Sequence, residues 1–237
     1  MKKVIISTVL FLGIVLVAIP LIRANISWQR PVEIYYDVTI ILDAGHGGKD
    51  RGASSKDGLS ERDLVFNVTT MVEEQLRLQG FNVILTRVGE SDLASPNASN
   101  RKREDLAARV NIINTTENAI AVSIHANSIP DTRWHGAQVF YDASSLENKE
   151  LATYIMDGLR NNIYGLDRQQ RPISNIYILR NSEIPMALVE IGFLSNPDEA
   201  RMLSDEEYQR LIAYAIFEGI LAYVESTEMP EPVELPQ

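Results

Sequence analysis

Cysteine is absent from the 237 residues, histidine occurs only three times, and basic side chains are in the minority, with 22 Lys+Arg against 32 Asp+Glu and a formal net charge of −10. Without thiols there is no disulfide framework, thiolate metal site or cysteine nucleophile, so any metal must be held by His, Asp or Glu. The shortage of positive charge argues against a nucleic-acid partner, which needs a basic face. Aromatic residues are also few, at 7%, but an apolar fraction of 45% is ordinary for a globular chain. The length fits one to two domains at ~100–200 residues each, and no internal repeat divides it.

The chain starts with Lys2 and Lys3, runs uncharged and apolar from Val4 to Ile22, and closes that run with Arg23. Such a run has about the ~20 residues a bilayer-spanning helix needs. A cleaved signal peptide wants a shorter apolar core and small residues before the cut, which Leu16-Val17-Ala18 and Ile22-Arg23-Ala24 supply poorly. Residues 1–23 therefore read as an uncleaved membrane anchor with the lysines held in the cytoplasm; cleaved secretion is the alternative. This puts the rest of the chain on the extracytoplasmic face of the membrane. Residues 24–37, with Trp28, Tyr35 and Tyr36, read as a stalk, and residues 225–237, rich in proline and acid, as a disordered tail. Between them, residues 38–224 form the folded unit.

Within that unit strand-like and helix-like runs alternate. Val38–Leu42 is a short apolar burst, and Leu64, Val68, Val72 and Leu76 then recur at helical spacing until Gly80. Phe81–Thr86 reads as a strand, Leu106, Val110 and Ile113 as a helix, and Ala119–Ile124 and Ala137–Tyr141 as strands. A capping box at Ser144 and Glu147 opens a third helix, Ser174–Leu179 reads as an edge strand and Ala187–Ile191 as a buried one. Asn196-Pro197 with Glu199 starts a short helix, and a box at Ser204 and Glu207 starts the last. The alternation predicts a single α/β domain, a mostly parallel or mixed sheet flanked by helices on both faces.

Sites in open α/β sheets gather beyond the carboxyl ends of the strands. Here three strands run into His46, His125 and Glu190, and Glu61 opens the helix after the first strand. Singly, each has a plain structural reading; Glu61 could simply complement its helix N-terminus. Glu190 is different, because it interrupts the apolar run Met186–Phe193, where an unpaired carboxylate is costly. Jointly, two histidines and a carboxylate make a three-ligand site with an open fourth position, the pattern of catalytic Zn²⁺, although Mn²⁺ or Fe²⁺ also accept these ligands. Zinc so held lowers the pKa of a bound water to about 7, and a neighbouring glutamate can take the proton and hand it to a leaving amine. His135, between Trp134 and Gly136, reads as a rim residue, with metal ligation by folding back toward His125 as its alternative, and the charged run Asn100–Leu106 reads as a solvated helix start, with a substrate-facing basic patch as its alternative.

Taken in order, Asp43-x-Gly-His46-Gly-Gly, Glu61, Leu85-Thr86-Arg87, Ser123-Ile-His125-Ala-Asn127 and Glu190-x-Gly-Phe-x-Ser-Asn196 resemble the zinc-dependent N-acetylmuramoyl-L-alanine amidases of the Amidase 3 family. The resemblance implies His46, Glu61 and His125 as Zn²⁺ ligands, Glu190 as the catalytic glutamate, and peptidoglycan as substrate, cut between N-acetylmuramic acid and L-alanine. The anchor, the absence of a wall-binding repeat and the stretch from Asn100 to Asn114 look like the spore-cortex amidases of the CwlD type, which strip stem peptides ahead of muramic δ-lactam formation. Ala44 stands where the family commonly has proline, and the connection from Tyr141 to Ser174 is too ordinary for a long autoinhibitory helix, which leaves control to localisation or an accessory activator protein. The competing classes are a non-catalytic peptidoglycan-binding module and a zinc peptidase acting within the stem peptide.

Overall fold

In the computed structural model, which describes residues 36–228, the first apolar run becomes β1 (Thr39–Ala44), buried at every position. It lies between β2 (Asn82–Leu85) and β3 (Ala119–Asn127), parallel to both. A strand covered on both faces has no solvent side to mark with polar residues, hence the unbroken apolar stretch Ile40–Leu42. β6 (Met186–Phe193) joins β3 in parallel, β4 (Gln138–Tyr141) pairs antiparallel with β6, and the short β5 (Arg171–Pro172) closes the order β2-β1-β3-β6-β4-β5. The sheet is thus mixed, with its parallel half carrying the strand ends of interest.

Successive strand residues serve opposite layers. Ile40, Leu42, Val122 and Val189 face the core shared with α1 (Glu61–Gln79), α3 (Leu146–Asn162) and α6 (Glu206–Glu228). Ile41, Ala121 and Leu188 face a smaller core closed by Ile113 of α2 (Arg101–Thr115) and by Ile178 and Leu179 of α4 (Tyr177–Arg180). α5 (Pro197–Leu203) follows β6 and is capped by Asn196, whose side chain accepts from Asp198 N and Glu199 N as its Asn-Pro start predicts. Gly80, in the left-handed region at φ 100°, stops α1 where the sequence places the stop.

Some expected boundaries move. Ser145, not Ser144, caps α3, accepting from Asn148 N. Ser204 ends α5, and Asp205 accepts from Glu207 N at the start of the last helix, so that helix starts one turn-residue later than the Ser204 box implied. Ser174–Leu179 is not an edge strand: β5 lies earlier, and Tyr177–Arg180 is a helical turn that buries Ile178 and Leu179. Tyr36, assigned to the stalk, stacks on Phe81 with ring centroids 3.9 Å apart, and α6 continues to Glu228. The anchor expected over 1–23, the stalk up to residue 35 and the tail beyond residue 228 lie outside the described residues. Among the described residues no helix is long and apolar enough to cross a membrane.

Candidate metal centre

Strand register assembles the site. β1 and β3 pair so that Asp43 lies beside Ser123, and β3 and β6 so that His125 lies beside Glu190. Beyond β1 the backbone turns sharply, with His46 at φ 63°. A left-handed conformation costs a non-glycine residue about 1–2 kcal/mol, so something must hold it.

Two buried arginines do. Arg109, from α2, donates to the carbonyl oxygens of Ala44 at 2.7 Å and of His46, and to Asp43 Oδ1 at 2.8 Å. Arg87, just past β2, donates to the carbonyls of Ala44 and Gly45, each at 2.9 Å, and of Arg62 at 3.0 Å, tying the His46 loop to α1. Asp43 also accepts from Thr86 and Ser123, each at 2.6 Å. Burial pushes the Asp43 carboxyl up, but Arg109, Ser123 and Thr86 outweigh it and hold the group below the ordinary carboxylate range.

Glu61 is the first residue of α1. Its Oε2 accepts from Ala53 N at 2.8 Å and its Oε1 from Ala126 N at 3.1 Å, which fixes the carboxylate plane. Oε1 also lies 2.9 Å from His46 Nε2 and 3.0 Å from His125 Nδ1. The three side chains each offer a ligand atom, all within 4.8 Å of one another. Burial raises the Glu61 carboxyl, but hydrogen bonds from His125 and then His46 pull it well below the usual range; burial lowers His125, and Glu61 and Glu190 more than reverse that. An ionised carboxylate thus collects positive charge around it, a demand that a divalent cation meets in place of a proton.

The surroundings fit a metal as closely. A Cβ on Gly45 would stand 2.3 Å from the His125 ring, and one on Gly52, at φ 64°, would stand 2.4 Å from Glu61 Oε2 and 2.8 Å from the His46 ring. His46 Nδ1 lies 3.0 Å from Asp50 Oδ1, close enough for an ion pair but not aligned as a hydrogen bond, and Lys102 Nζ lies 3.4 Å from the other Asp50 oxygen. Glu190 is half-buried as a residue, yet its Oε2 is sealed from water and has no partner. Burial pushes its pKa up to about 7; His125 pulls it down, Glu61 raises it again and His46 pulls down last.

His46, Glu61, His125 and Glu190 therefore come together, while His135 does not: it lines a separate cavity of about 940 Å³ with Trp134, Arg168 and Tyr208. The supporting roles of Asp43, Arg87 and Arg109 were not read from the sequence. The available signal was Asp43 itself, a carboxylate closing an apolar strand, which needs a buried cation as Glu190 needs a partner.

The chain as a whole is similar to known proteins. A family model described as N-acetylmuramoyl-L-alanine amidase, Amidase_3, matches residues 40–222. The chain is 44% identical over 214 residues to the germination-specific N-acetylmuramoyl-L-alanine amidase of Bacillus subtilis (strain 168), covering 89% of each. It is 29% identical over 187 residues to the amidase LytC of the same organism, covering 78% of this chain and 35% of that one. Among solved structures it is similar to the CwlD amidase of Clostridioides difficile in complex with the GerS lipoprotein, with a TM-score of 0.77, 38% identity, and coverage of 80% of this chain and 100% of that one.

Proposed function

The chain belongs to the N-acetylmuramoyl-L-alanine amidase family of hydrolases, and on that premise we propose that it cleaves the amide between N-acetylmuramic acid and L-alanine in peptidoglycan, with Zn²⁺ held by His46, Glu61 and His125 and with Glu190 as the catalytic residue. The observation that carries this reading is Glu190 Oε2, buried and unpartnered beside His125. When bound, Zn²⁺ supplies Lewis-acid polarisation and a water nucleophile that forms at neutral pH.

The chain's own residues do the rest. Glu190, with a pKa near 7, is poised to accept a proton as the amide carbonyl is attacked and to return it to the L-alanine nitrogen as that bond breaks. Its unpartnered oxygen faces the task with no competing hydrogen bond to break. Arg87 and Arg109 hold the His46 loop in its left-handed turn, and Ala53 N and Ala126 N orient Glu61. Such outer partners fix ligands before the metal arrives.

The likeness to a germination-specific amidase supports a role in the spore, and the proposal takes that role to be cortex maturation ahead of muramic δ-lactam formation, as the resemblance of the sequence implies. The likeness to an amidase solved with a lipoprotein supports an accessory protein partner. Lys2, Lys3 and the apolar run to Ile22 support a membrane tether with the hydrolase outside the cytoplasm.

The test is digestion of purified peptidoglycan by the full-length chain, with Zn²⁺ or with a chelator, read by mass spectrometry. Metal-dependent release of intact stem peptides starting at L-alanine is the expected result. Cuts inside the peptide would assign a zinc peptidase instead, and metal binding without any product would assign a binding module.

A further inference from the structure

From Glu190 a cleft of about 240 Å³ runs along α2, lined by His125, Arg109, Leu106, Tyr177 and Leu188. A second cleft, of about 520 Å³, shares Leu106 and Tyr177 with it and ends at Arg103 and Lys102. The shared walls make one trough, with its reactive end at Glu190 and a basic far end. Arg103, Leu106 and Arg109 follow at three-residue spacing, so they lie on one face of α2, which forms one wall of the trough. Tyr177, on α4, stands opposite and is 44% exposed, although it is a large aromatic beside a core.

The three consecutive basic residues at that end are not equivalent. Arg101 is committed to Asp92, at 2.5 Å, and Lys102 to Asp50, at 3.4 Å. Arg103 makes no ion pair and no side-chain hydrogen bond among the described residues; its backbone N–H donates to the Asn100 side chain. In a chain of net charge −10, an uncommitted guanidinium at the end of a trough that starts at an unpartnered carboxylate is a local reversal of sign.

Resting on the amidase reading, we propose that Arg103 is a specificity-determining residue that binds a free carboxylate of the stem peptide on the second or third residue from the scissile amide. The helix supplies the length scale. Arg109 lines the reactive-end cleft together with Glu190, Arg103 is six residues, or about 9 Å, further along the α2 axis, and an extended peptide covers about 9 Å in two to three residues. Leu106 and Tyr177 flank the intervening chain, and the planar guanidinium takes a carboxylate through two parallel hydrogen bonds.

The experiment uses the full-length Zn²⁺-loaded chain and two pairs of synthetic muramyl peptides, one pair differing only at the second residue and the other only at the third, each as free acid or as carboxamide. KM and kcat are measured for each, and calorimetry gives the affinity of the corresponding free peptides independently of turnover. Wild type should prefer the acid in one of the pairs by about fivefold or more, as a charge-assisted hydrogen bond in a partly open site provides. Arg103→Gln should erase the preference through KM, and Arg103→Lys should restore part of it. A wild type indifferent to the carboxylate in both pairs, or a preference that survives Arg103→Gln in both assays, overturns the assignment. Hydrolysis of none of the substrates would overturn the amidase reading instead, and the calorimetric arm would still decide the role of Arg103.

Discussion

Arg109 meets Asp43 at 2.8 Å where both side chains are almost wholly shielded from water, and the same guanidinium holds the carbonyl of His46. One ion pair therefore serves two purposes: it neutralises a carboxylate at the end of β1, and it fixes the turn that presents the first histidine. Removing one partner of a buried pair leaves the other charged and unsolvated, at a cost of about 3–5 kcal/mol.

Arg109→Met should therefore lower the unfolding free energy by about that amount and also weaken metal binding, since the His46 carbonyl loses its donor. Urea unfolding and metal titration of the same preparation check both. Lost stability with unchanged metal affinity would detach the ion pair from the site.

The Asp43 carboxyl sits lower in the folded chain than in the unfolded one, because Arg109, Ser123 and Thr86 outweigh its burial. Its contribution to stability is thus present in full above the unfolded pKa, about 3.9, and is lost as pH falls through the folded value. Below about pH 4, urea midpoints should fall more steeply for wild type than for Asp43→Asn, which starts less stable. Parallel curves would contradict the linkage.

Glu190→Gln keeps the size of the side chain but cannot take up a proton. Turnover should fall about 10²–10⁴-fold, the usual worth of a general acid–base, while metal content stays at the wild-type level, because the cluster of potential ligands is His46, Glu61 and His125. Alanine at any of those three should lose the metal. Metal analysis beside a peptidoglycan assay separates the two classes.

Gly52 and Gly58 form a controlled pair. Both have positive φ, at 64° and 87°, but a Cβ on Gly52 would strike Glu61 and His46 while one on Gly58 meets nothing within 4 Å. Both alanine variants carry backbone strain of about 1–2 kcal/mol, and only Gly52→Ala should also lose metal affinity, by about 10–100-fold as for other supports of a metal site. Equal affinities would mean the cradle has room to spare.

The parallel strands were legible because a strand buried on both faces is mostly apolar, so β1, β3 and β6 stand out, and each carries polar residues, Asp43, His125 with Asn127, and Glu190, in its carboxyl-terminal half. The same contrast exposed His46, His125 and Glu190, and the structure brings them together with Glu61. Boundaries failed where neighbours compete for one job: Ser145 beside Ser144, and Asp205 beside Ser204, cap equally well by composition. Ser174–Leu179 was misread because a short apolar run has no period to separate strand from helical turn, and the packing of Ile178 and Leu179 under the sheet decides it. The arginine clamp stayed hidden for another reason. Arg87 and Arg109 look like surface charge in a sequence, and only the fold shows how many carbonyls wait for them.

The most direct measurement is hydrolysis in ¹⁸O-enriched water of a muramyl peptide by the Zn²⁺-loaded chain, with mass analysis of both products. Cleavage at the muramoyl–L-alanine amide puts one ¹⁸O in the lactyl carboxylate of the muramic acid and releases an unlabelled peptide with a free L-alanine amine. Label in the new carboxylate of a peptide fragment, with muramic acid still attached to L-alanine, would contradict the account.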